Sequence, residues 1–261
     1  DGKIPGRIKY TFALGALGKD MIYGMIATFS MIYFTDIIKV NPVFIGVMFF
    51  VAKLWDAFND LFMGMIVDNT RSRWGKFIPW LVIGTLVNSI VFVVLFTDFH
   101  LDGVGLCVFA TAAYILWGMT YTLMDIPYWS IIPNLTSNPE EREKVSVLPR
   151  IFASIGQSLV IAGFGVQIIE ALGGGTTNQA GYHRFAIIIA IVFILTIGIT
   201  VINLPKKRDD SVPEKKVKFK DIFSIIGKND QLRWAVTLIF LCNIGIQCIM
   251  GVATYYFKYV C

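Results

Sequence analysis

Long apolar runs separated by short polar segments dominate this chain of 261 residues. A helix needs about 20 largely apolar residues to cross a bilayer, and seven runs of the chain meet that length. The sequence therefore predicts seven membrane-spanning helices. The predicted spans are Tyr10–Ile38, Pro42–Val67, Phe77–Phe96, Val104–Ile132, Val147–Leu172, Arg184–Leu204 and Leu232–Tyr259.

Basic residues concentrate on one side of these spans. They lie in the N-terminal segment, in the second and fourth connections and in the charged segment 205–230, whereas the other side holds only Lys39, Arg184 and Lys258. Connections rich in Lys and Arg stay in the cytoplasm, so the N-terminus is predicted to be cytoplasmic. The net charge of +5 reflects this placement in short loops. It does not indicate a nucleic-acid surface, and no nucleic-acid partner is expected.

The composition supports a membrane protein. Hydrophobic residues make up 56% of the chain and charged residues 16%, against roughly 25% charged in soluble domains. Six spans, a long charged connection and a further span are the layout of a secondary transporter with two helix bundles. We predict an N-terminal six-helix bundle over 1–204, a cytoplasmic linker over 205–230 and the first helix of an incomplete second bundle over 231–261. The chain is expected to be part of a longer carrier and not to transport by itself.

Charged side chains inside a span are functional candidates, because burying a charge in lipid is costly. The second span carries Asp56, Asn59 and Asp60, and the two carboxylates share one helix face. Oxygen ligands of this kind suit a hard cation. We predict the coupling-ion site here, with a sodium-type cation at Asp56 and Asp60. The alternative is an internal salt-bridge network that includes Lys53 and holds no ligand.

The fourth span carries aromatic and acidic residues on one face. Tyr121, Asp125 and Trp129 follow one another at four-residue steps. An aromatic ring can stack on the apolar face of a sugar while a carboxylate accepts hydrogen bonds from its hydroxyls. Thr122 supplies a further oxygen one turn before Asp125. Aromatic packing and interface anchoring are the alternative explanation for the rings.

Two other spans carry charges that can join this face. The first span contains the adjacent pair Lys19 and Asp20, and the fifth contains Arg150. An inward-pointing Arg150 would pair with Asp20 or Asp125 and offer several donors to sugar hydroxyls. The alternative is that Arg150 extends to the membrane interface, since it lies near one end of its predicted span.

The connection between the second and third spans contains residues of both charges. Asp68, Arg71, Arg73 and Lys76 can bridge neighbouring helix ends, and we predict a cytoplasmic latch there. The alternative, retention of basic residues on the cytoplasmic side, applies as well.

Several runs of the chain, in order, resemble the melibiose permease family, the glycoside–pentoside–hexuronide:cation symporters within the major facilitator fold. The runs are GALGKD, YFTD, WDAFND, TRSRWGKFIPW, ILWGMTYTLMDIPYWS, EEREK, PRIFAS and KNDQL. The resemblance looks closest to the melibiose carrier branch. It implies an all-α, polytopic fold: a six-helix bundle of a major-facilitator carrier and the first helix of the second bundle. It implies a sugar site formed by Lys19, Asp20, Trp117, Tyr121, Asp125, Trp129 and Arg150, and a cation site formed by Asp56, Asn59, Asp60 and Thr122.

The resemblance also implies a function. A carrier of this family moves a galactoside-type sugar such as melibiose inward together with sodium, lithium or a proton, in the inner membrane of a bacterium. Its partners are the glycoside, the monovalent cation and the lipid bilayer; no cofactor besides the cation is expected. Two departures from the melibiose carrier are Lys53, where that carrier has Arg, and Ala27, where it has a Tyr near the sugar.

Two other classes of protein are the alternatives. A seven-helix receptor or sensor fits the number of spans, but such receptors place the N-terminus outside. An enzyme would need a nucleophile beside a base, and both histidines, His100 and His183, fall in connections on the outer side. No catalytic residues and no enzymatic activity are therefore predicted.

Overall fold

The computed structural model describes residues 4–175 and 177–205, and of the remainder 229–231, 233–235, 237, 238, 241, 242 and 245. The chain divides into two compact units, Asp1–Ser211 and Val212–Cys261. The described residues of the second unit from 230 to 245 are helical, and Arg233 pairs with Asp230 there. Most of the predicted linker and seventh span lies outside the described residues.

The described residues of the first unit form six long helical rods, each made of one helix or of helical segments that follow one another directly, and they form no strand. The α-helices are α1 (Gly6–Ile32), α2 (Pro42–Asn69), α3 (Ile78–Leu95), α4 (Gly103–Ser130), α5 (Ile132–Leu135), α6 (Pro139–Ser158), α7 (Gly165–Gly173) and α8 (Gln179–Asn203). Two π-helical segments, Tyr33–Ile37 and Leu159–Phe164, continue α1 and join α6 to α7. The predicted all-α architecture is confirmed.

The fifth rod begins earlier than the sequence predicted. The predicted span is Val147–Leu172, but α6 starts at Pro139. The Asn138 side chain accepts a hydrogen bond from the Glu140 backbone N–H, and proline occupies the first helical position. Both features stabilise a helix start. Arg142 and Lys144, which the prediction placed in a connection, therefore lie on the first turns of a helix.

By length and composition, five described segments are apolar enough to cross a membrane. They are Pro42–Asn69, Ile78–Leu95, Gly103–Leu135, Pro139–Ile161 and Gln179–Asn203. The first rod, α1, is not among them and carries Lys19 and Asp20 at its centre. Many of its residues are buried, because it packs against both α6 and α8. Neighbouring helices thus shield the polar centre of α1 from lipid.

Small residues bring the helices of this bundle close together. A side chain at Gly18 would collide with the Thr196 hydroxyl of α8, and a side chain at Gly84 would lie 2.8 Å from the Cβ atom of Met124 in α4. Close backbone approach of this kind is typical of helix association in membranes. Further pairs form between α3 and α8, α2 and α4, and α7 and α8. α4 therefore lies against both α2 and α3.

Candidate functional site

A buried ammonium group lies at the midpoint of α1. Lys19 is 3% exposed, and its Nζ atom lies 2.6 Å from Asp125 Oδ1 of α4 and 3.1 Å from Asp20 Oδ2 of its own helix. The same atom donates a hydrogen bond to the Tyr121 hydroxyl over 3.4 Å. One cation thus contacts two carboxylates, and the three charges together carry a net charge of −1.

Aromatic rings surround the same ammonium group. Its Nζ atom lies 5.6 Å from the ring centroid of Tyr121, 5.7 Å from that of Tyr128 and 5.0 Å from that of Trp129. These distances are within the range of cation–π interactions. Trp129 also donates from Nε1 to Asp125 Oδ1 over 3.1 Å. The structure therefore brings the aromatic and acidic residues predicted on the fourth span together with the Lys–Asp pair of the first.

A row of rings extends this cluster along α4. The Trp117 ring centroid lies 5.5 Å from that of Tyr121 and 5.9 Å from that of Tyr114. Tyr23 of α1 contacts the row as well, at 5.9 Å from Tyr121. Tyr23 was not among the predicted site residues, although its position four residues after Lys19 places it on the same helix face. It stands one turn before Ala27, the position where the melibiose carrier has its tyrosine.

Asp20 has a partner that was not predicted. Gln157 of α6 donates from Nε2 to Asp20 Oδ1 over 3.3 Å. The partner expected from this helix was Arg150. Arg150 is exposed and makes no hydrogen bond or ion pair with the described residues. It precedes Gln157 by two helical turns and lies on the same face, roughly 10 Å away along the axis. The structure thus places Arg150 outside the cluster around Lys19.

A second cluster lies where α2 meets α4. The Asp56 carboxylate approaches Gly118 so closely that a Cβ atom at Gly118 would lie 2.8 Å from Asp56 Oδ1. The other oxygen of Asp56 lies 3.3 Å from the Nζ atom of Lys53, an exposed side chain. One turn further along both helices, Thr122 donates to Asp60 Oδ1 over 3.0 Å. Both carboxylates therefore face α4.

Asn59 of α2 is the fourth residue predicted for the cation site. Asn59 is buried, and its Nδ2 atom has no hydrogen-bond partner among the described residues. Asp60 is exposed apart from its contact with Thr122. The four residues predicted for the cation therefore lie on two facing helices and supply side-chain oxygens. Within the described ranges, no group of three or more His, Cys, Asp or Glu residues that could hold a metal ion is present.

Two of the four residues predicted for a latch form an ion pair. Lys76 pairs with Asp68 over 2.9 Å, which joins the end of α2 to the segment before α3. Trp80 donates from Nε1 to the Thr70 hydroxyl over 2.8 Å and bridges the same two helices. Arg71 and Arg73 are exposed and make no hydrogen bond or ion pair with the part of the chain that the structure describes.

A buried carboxylate that was not predicted lies at the start of α6. Glu141 is 5% exposed, and its Oε2 atom lies 2.6 Å from Lys9 Nζ and accepts the Ile4 backbone N–H over 3.2 Å. Its Oε1 atom lies 3.3 Å from Lys144 Nζ. Glu141 belongs to the EEREK run, but nothing in that run distinguishes a buried glutamate from its exposed neighbours. Its contacts fix the segment before α1 to α6.

Comparison with known proteins identifies the family. The sequence model of the family described as "MFS/sugar transport protein" matches residues 11–261. The chain belongs to this family. The glycoside–pentoside–hexuronide symporter family predicted from the motifs is thereby confirmed, and the protein is a multi-pass membrane protein. The placement in the melibiose carrier branch stays a prediction, and the family does not favour a seven-helix receptor.

Relatives within the family are named as transporters. The chain is 30% identical to the lactose permease of Leuconostoc lactis, over 96% of this chain and 42% of the relative. It is 26% identical to the isoprimeverose transporter of Lactiplantibacillus pentosus, over 98% of this chain and 53% of the relative. It is 29% identical to the inner membrane symporter YicJ of Escherichia coli, strain K12, over 95% of this chain and 53% of the relative. The chain thus spans about half the length of the curated relatives it matches.

Proposed function

We propose that this protein carries a galactoside-type sugar such as melibiose into the cell together with a monovalent cation. The cation is sodium, lithium or a proton, and the carrier lies in the bacterial inner membrane with its N-terminus in the cytoplasm. The observation that carries this proposal is the buried Lys19 held between Asp20 and Asp125 at the centre of the bundle. A charged cluster is expensive at this depth, and such clusters mark substrate pathways. The names of the relatives support a sugar as the substrate.

The chemistry of the Lys19 cluster suits a sugar. Asp125 is 29% exposed, so its carboxylate is accessible beside the buried ammonium group. We assign hydroxyl binding to Asp20 and Asp125, with Lys19 donating to a ring or glycosidic oxygen. Trp129 and Tyr121 provide apolar faces for the sugar ring, as aromatic side chains do beside C–H groups. Trp117 supports Tyr121 by ring contact. Arg150 reaches this region only if α6 or the Arg150 side chain moves.

The cluster on α2 suits the cation. Two carboxylates, an amide and a hydroxyl offer the oxygen ligands that a hard cation prefers. A cation bound between Asp56 and Asp60 neutralises the repulsion of two like charges on one helix face. The Thr122 hydroxyl then turns its lone pairs to the cation in place of its bond to Asp60. With a proton as the coupling ion, one carboxylate is protonated instead.

Coupling between the two ligands follows from their common helix. Thr122 faces the cation cluster, and Asp125, one turn later on α4, contacts Lys19. A cation that holds α4 against α2 fixes the position of Asp125 and raises the affinity for sugar. Linkage then requires that the sugar raises the affinity for the cation by the same factor. Alternating access between two bundles completes transport in carriers of this architecture.

Uptake of labelled melibiose tests this function. The full-length product of the gene is reconstituted in vesicles, and a sodium, lithium or proton gradient is imposed. The sugar is expected to accumulate with at least one of these gradients. Asp125→Asn is expected to abolish accumulation, whereas Asp102→Asn, an exposed residue before α4, leaves it unchanged. Uptake that does not depend on any of the three gradients would contradict symport.

A further inference from the structure

A glutamine of α6 borders the cluster around Lys19. We propose that Gln157 contacts the bound sugar directly and sets the specificity for one of its hydroxyl groups. Neither the motifs nor the family resemblance gave this residue a role. The inference rests on the proposed function, because it requires that the cluster binds a sugar. It starts from the hydrogen bond between Gln157 Nε2 and Asp20 Oδ1.

Close helix contacts fix the position of Gln157. A side chain at Gly156 would collide with the Leu17 carbonyl oxygen, so α6 touches the α1 backbone there. A Cβ atom at Gly24 would lie 3.3 Å from Gln157 Cα. Leu17, Asp20 and Gly24 follow at steps of three and four residues and therefore share one face of α1. The two contacts flank Asp20 and hold α6 in register with it.

The orientation of the amide follows from the chemistry of its partner. An ionised carboxylate only accepts hydrogen bonds, so the amide nitrogen faces Asp20 and the amide oxygen points away from it. Gln157 is half-buried, and its second N–H and its oxygen have no partner among the described residues. The amide therefore retains one donor and one acceptor beside the carboxylate.

This pair of groups matches a sugar with neighbouring hydroxyls. A hydroxyl donates one hydrogen bond and accepts others, and Asp20 can only accept. One hydroxyl donates to Asp20, and the next one bonds to the free end of the Gln157 amide. Sites built to bond a hydroxyl discriminate strongly against an analogue that lacks it, because the buried polar group is then left unpaired. Gln157 is thus a specificity residue and not only a support for Asp20.

Deoxy sugars test whether Gln157 bonds to one particular hydroxyl group of the sugar. The affinity of the protein as its gene encodes it is measured for p-nitrophenyl α-galactoside and for its 2-, 3-, 4- and 6-deoxy analogues. The variant Gln157→Met keeps the length of the side chain without the amide. It is expected to weaken binding of the parent galactoside roughly tenfold, as for loss of one or two hydrogen bonds. For one deoxy analogue the variant and the wild type are expected to bind equally.

Other outcomes overturn the inference in distinguishable ways. Equal weakening for the parent and every analogue would show that Gln157 bonds to none of the hydroxyls removed, and would overturn the inference. No weakening at all would exclude both roles. A wild type that binds none of these sugars would overturn the proposed function together with this inference. The control Gln167→Leu, at an exposed position of α7, is expected to bind like the wild type.

A shorter amide provides a second variant if Gln157→Met does not fold. Gln157→Asn keeps the polar group but withdraws it by one methylene. It is expected to lose affinity for the parent galactoside and to bind the same deoxy analogue as well as the wild type does. Equal loss for all the sugars would again overturn direct contact. Retention of the sodium effect on sugar binding confirms that the cation cluster is intact in either variant.

Discussion

The Lys19 ammonium and the Asp125 carboxylate lie 2.6 Å apart and join the midpoint of α1 to α4. Asp20 lies on the other side of the same ammonium group. The side chain of Lys19 is only 4% exposed, so water screens these contacts weakly. The pair ties together the two helices that carry most of the proposed sugar site.

Replacing Lys19 by methionine should destabilise the bundle strongly. The variant leaves Asp20 and Asp125 close together without a cation, and breaking a buried pair in this way costs about 3–5 kcal/mol. Reversible unfolding in mixed micelles measures the change in free energy of unfolding. Lys53→Met is the control, because its exposed ion pair with Asp56 is worth at most about 1 kcal/mol.

The double variant Lys19→Met/Asp125→Asn isolates the charge effect. It removes the ion pair and leaves one carboxylate, so it should be less destabilised than Lys19→Met alone. A single variant no less stable than Lys53→Met would show that the buried pair does not hold α1 to α4.

A methyl group at Gly118 should impair the cation cluster selectively. The Cβ atom of Gly118→Ala would lie 2.8 Å from Asp56 Oδ1 and displace that carboxylate. We expect the affinity for sodium to fall about tenfold or more, since ligand geometry is lost. Sugar binding without sodium should change little. Titration of sodium against sugar binding measures both quantities.

The control for this variant lies on the same helix. Gly105 of α4 has no atom within 4 Å of an added Cβ, so Gly105→Ala should leave the sodium affinity unchanged. Equal sodium affinity in Gly118→Ala and the wild type would place the cation elsewhere.

The sequence predicted most of the fold because hydrophobic length alone defines a spanning helix. It did not predict where rods bend or begin. The π-helical segment Leu159–Phe164 lies inside an unbroken apolar run, and the start at Pro139 lies in a polar one. The Asn–Pro–Glu–Glu signal for that start is present at 138–141, but it lies outside the apolar run that defines the predicted span.

The part of the candidate site that depends on residue spacing within one helix was predictable from the sequence. Charges and rings inside α1, α2 and α4 marked the residues that the structure brings together. Gln157 carries no charge, and its role depends on the approach of α6 to α1 at Gly156, which no local pattern encodes. Arg150 has the right chemistry, but its register along α6 places it two turns away from Gln157.

Asn88 should stabilise the contact between α3 and α4. Its fully buried amide donates to the Trp117 carbonyl over 3.0 Å and to the Thr120 hydroxyl over 2.9 Å. Asn88→Ala is expected to cost about 1 kcal/mol, in the range of hydrogen bonds between membrane helices. Unfolding in mixed micelles measures it against Asn134→Ala, an exposed asparagine. Equal stability of the two variants would contradict the bridging role.

Glu141 should hold the N-terminal segment on α6. Glu141→Gln removes the charge that Lys9 and Lys144 share, and charge-assisted hydrogen bonds lose strength with the charge. Amide hydrogen exchange in residues 4–12 is expected to be faster than in the wild type. The control is Glu143→Gln, which changes an exposed neighbour. Unchanged exchange in Glu141→Gln would mean that packing alone fixes the segment.

The central claim is that α4 couples a cation at the α2 cluster to a sugar at the Lys19 cluster. Galactoside binding with and without sodium, in the wild type and in Asp60→Cys, tests it most directly. The exposed residue Asp36 provides the control Asp36→Cys. We predict that sodium raises the sugar affinity of the wild type and of Asp36→Cys, while Asp60→Cys still binds sugar and no longer responds to sodium. A sodium effect of unchanged size in Asp60→Cys would contradict the account.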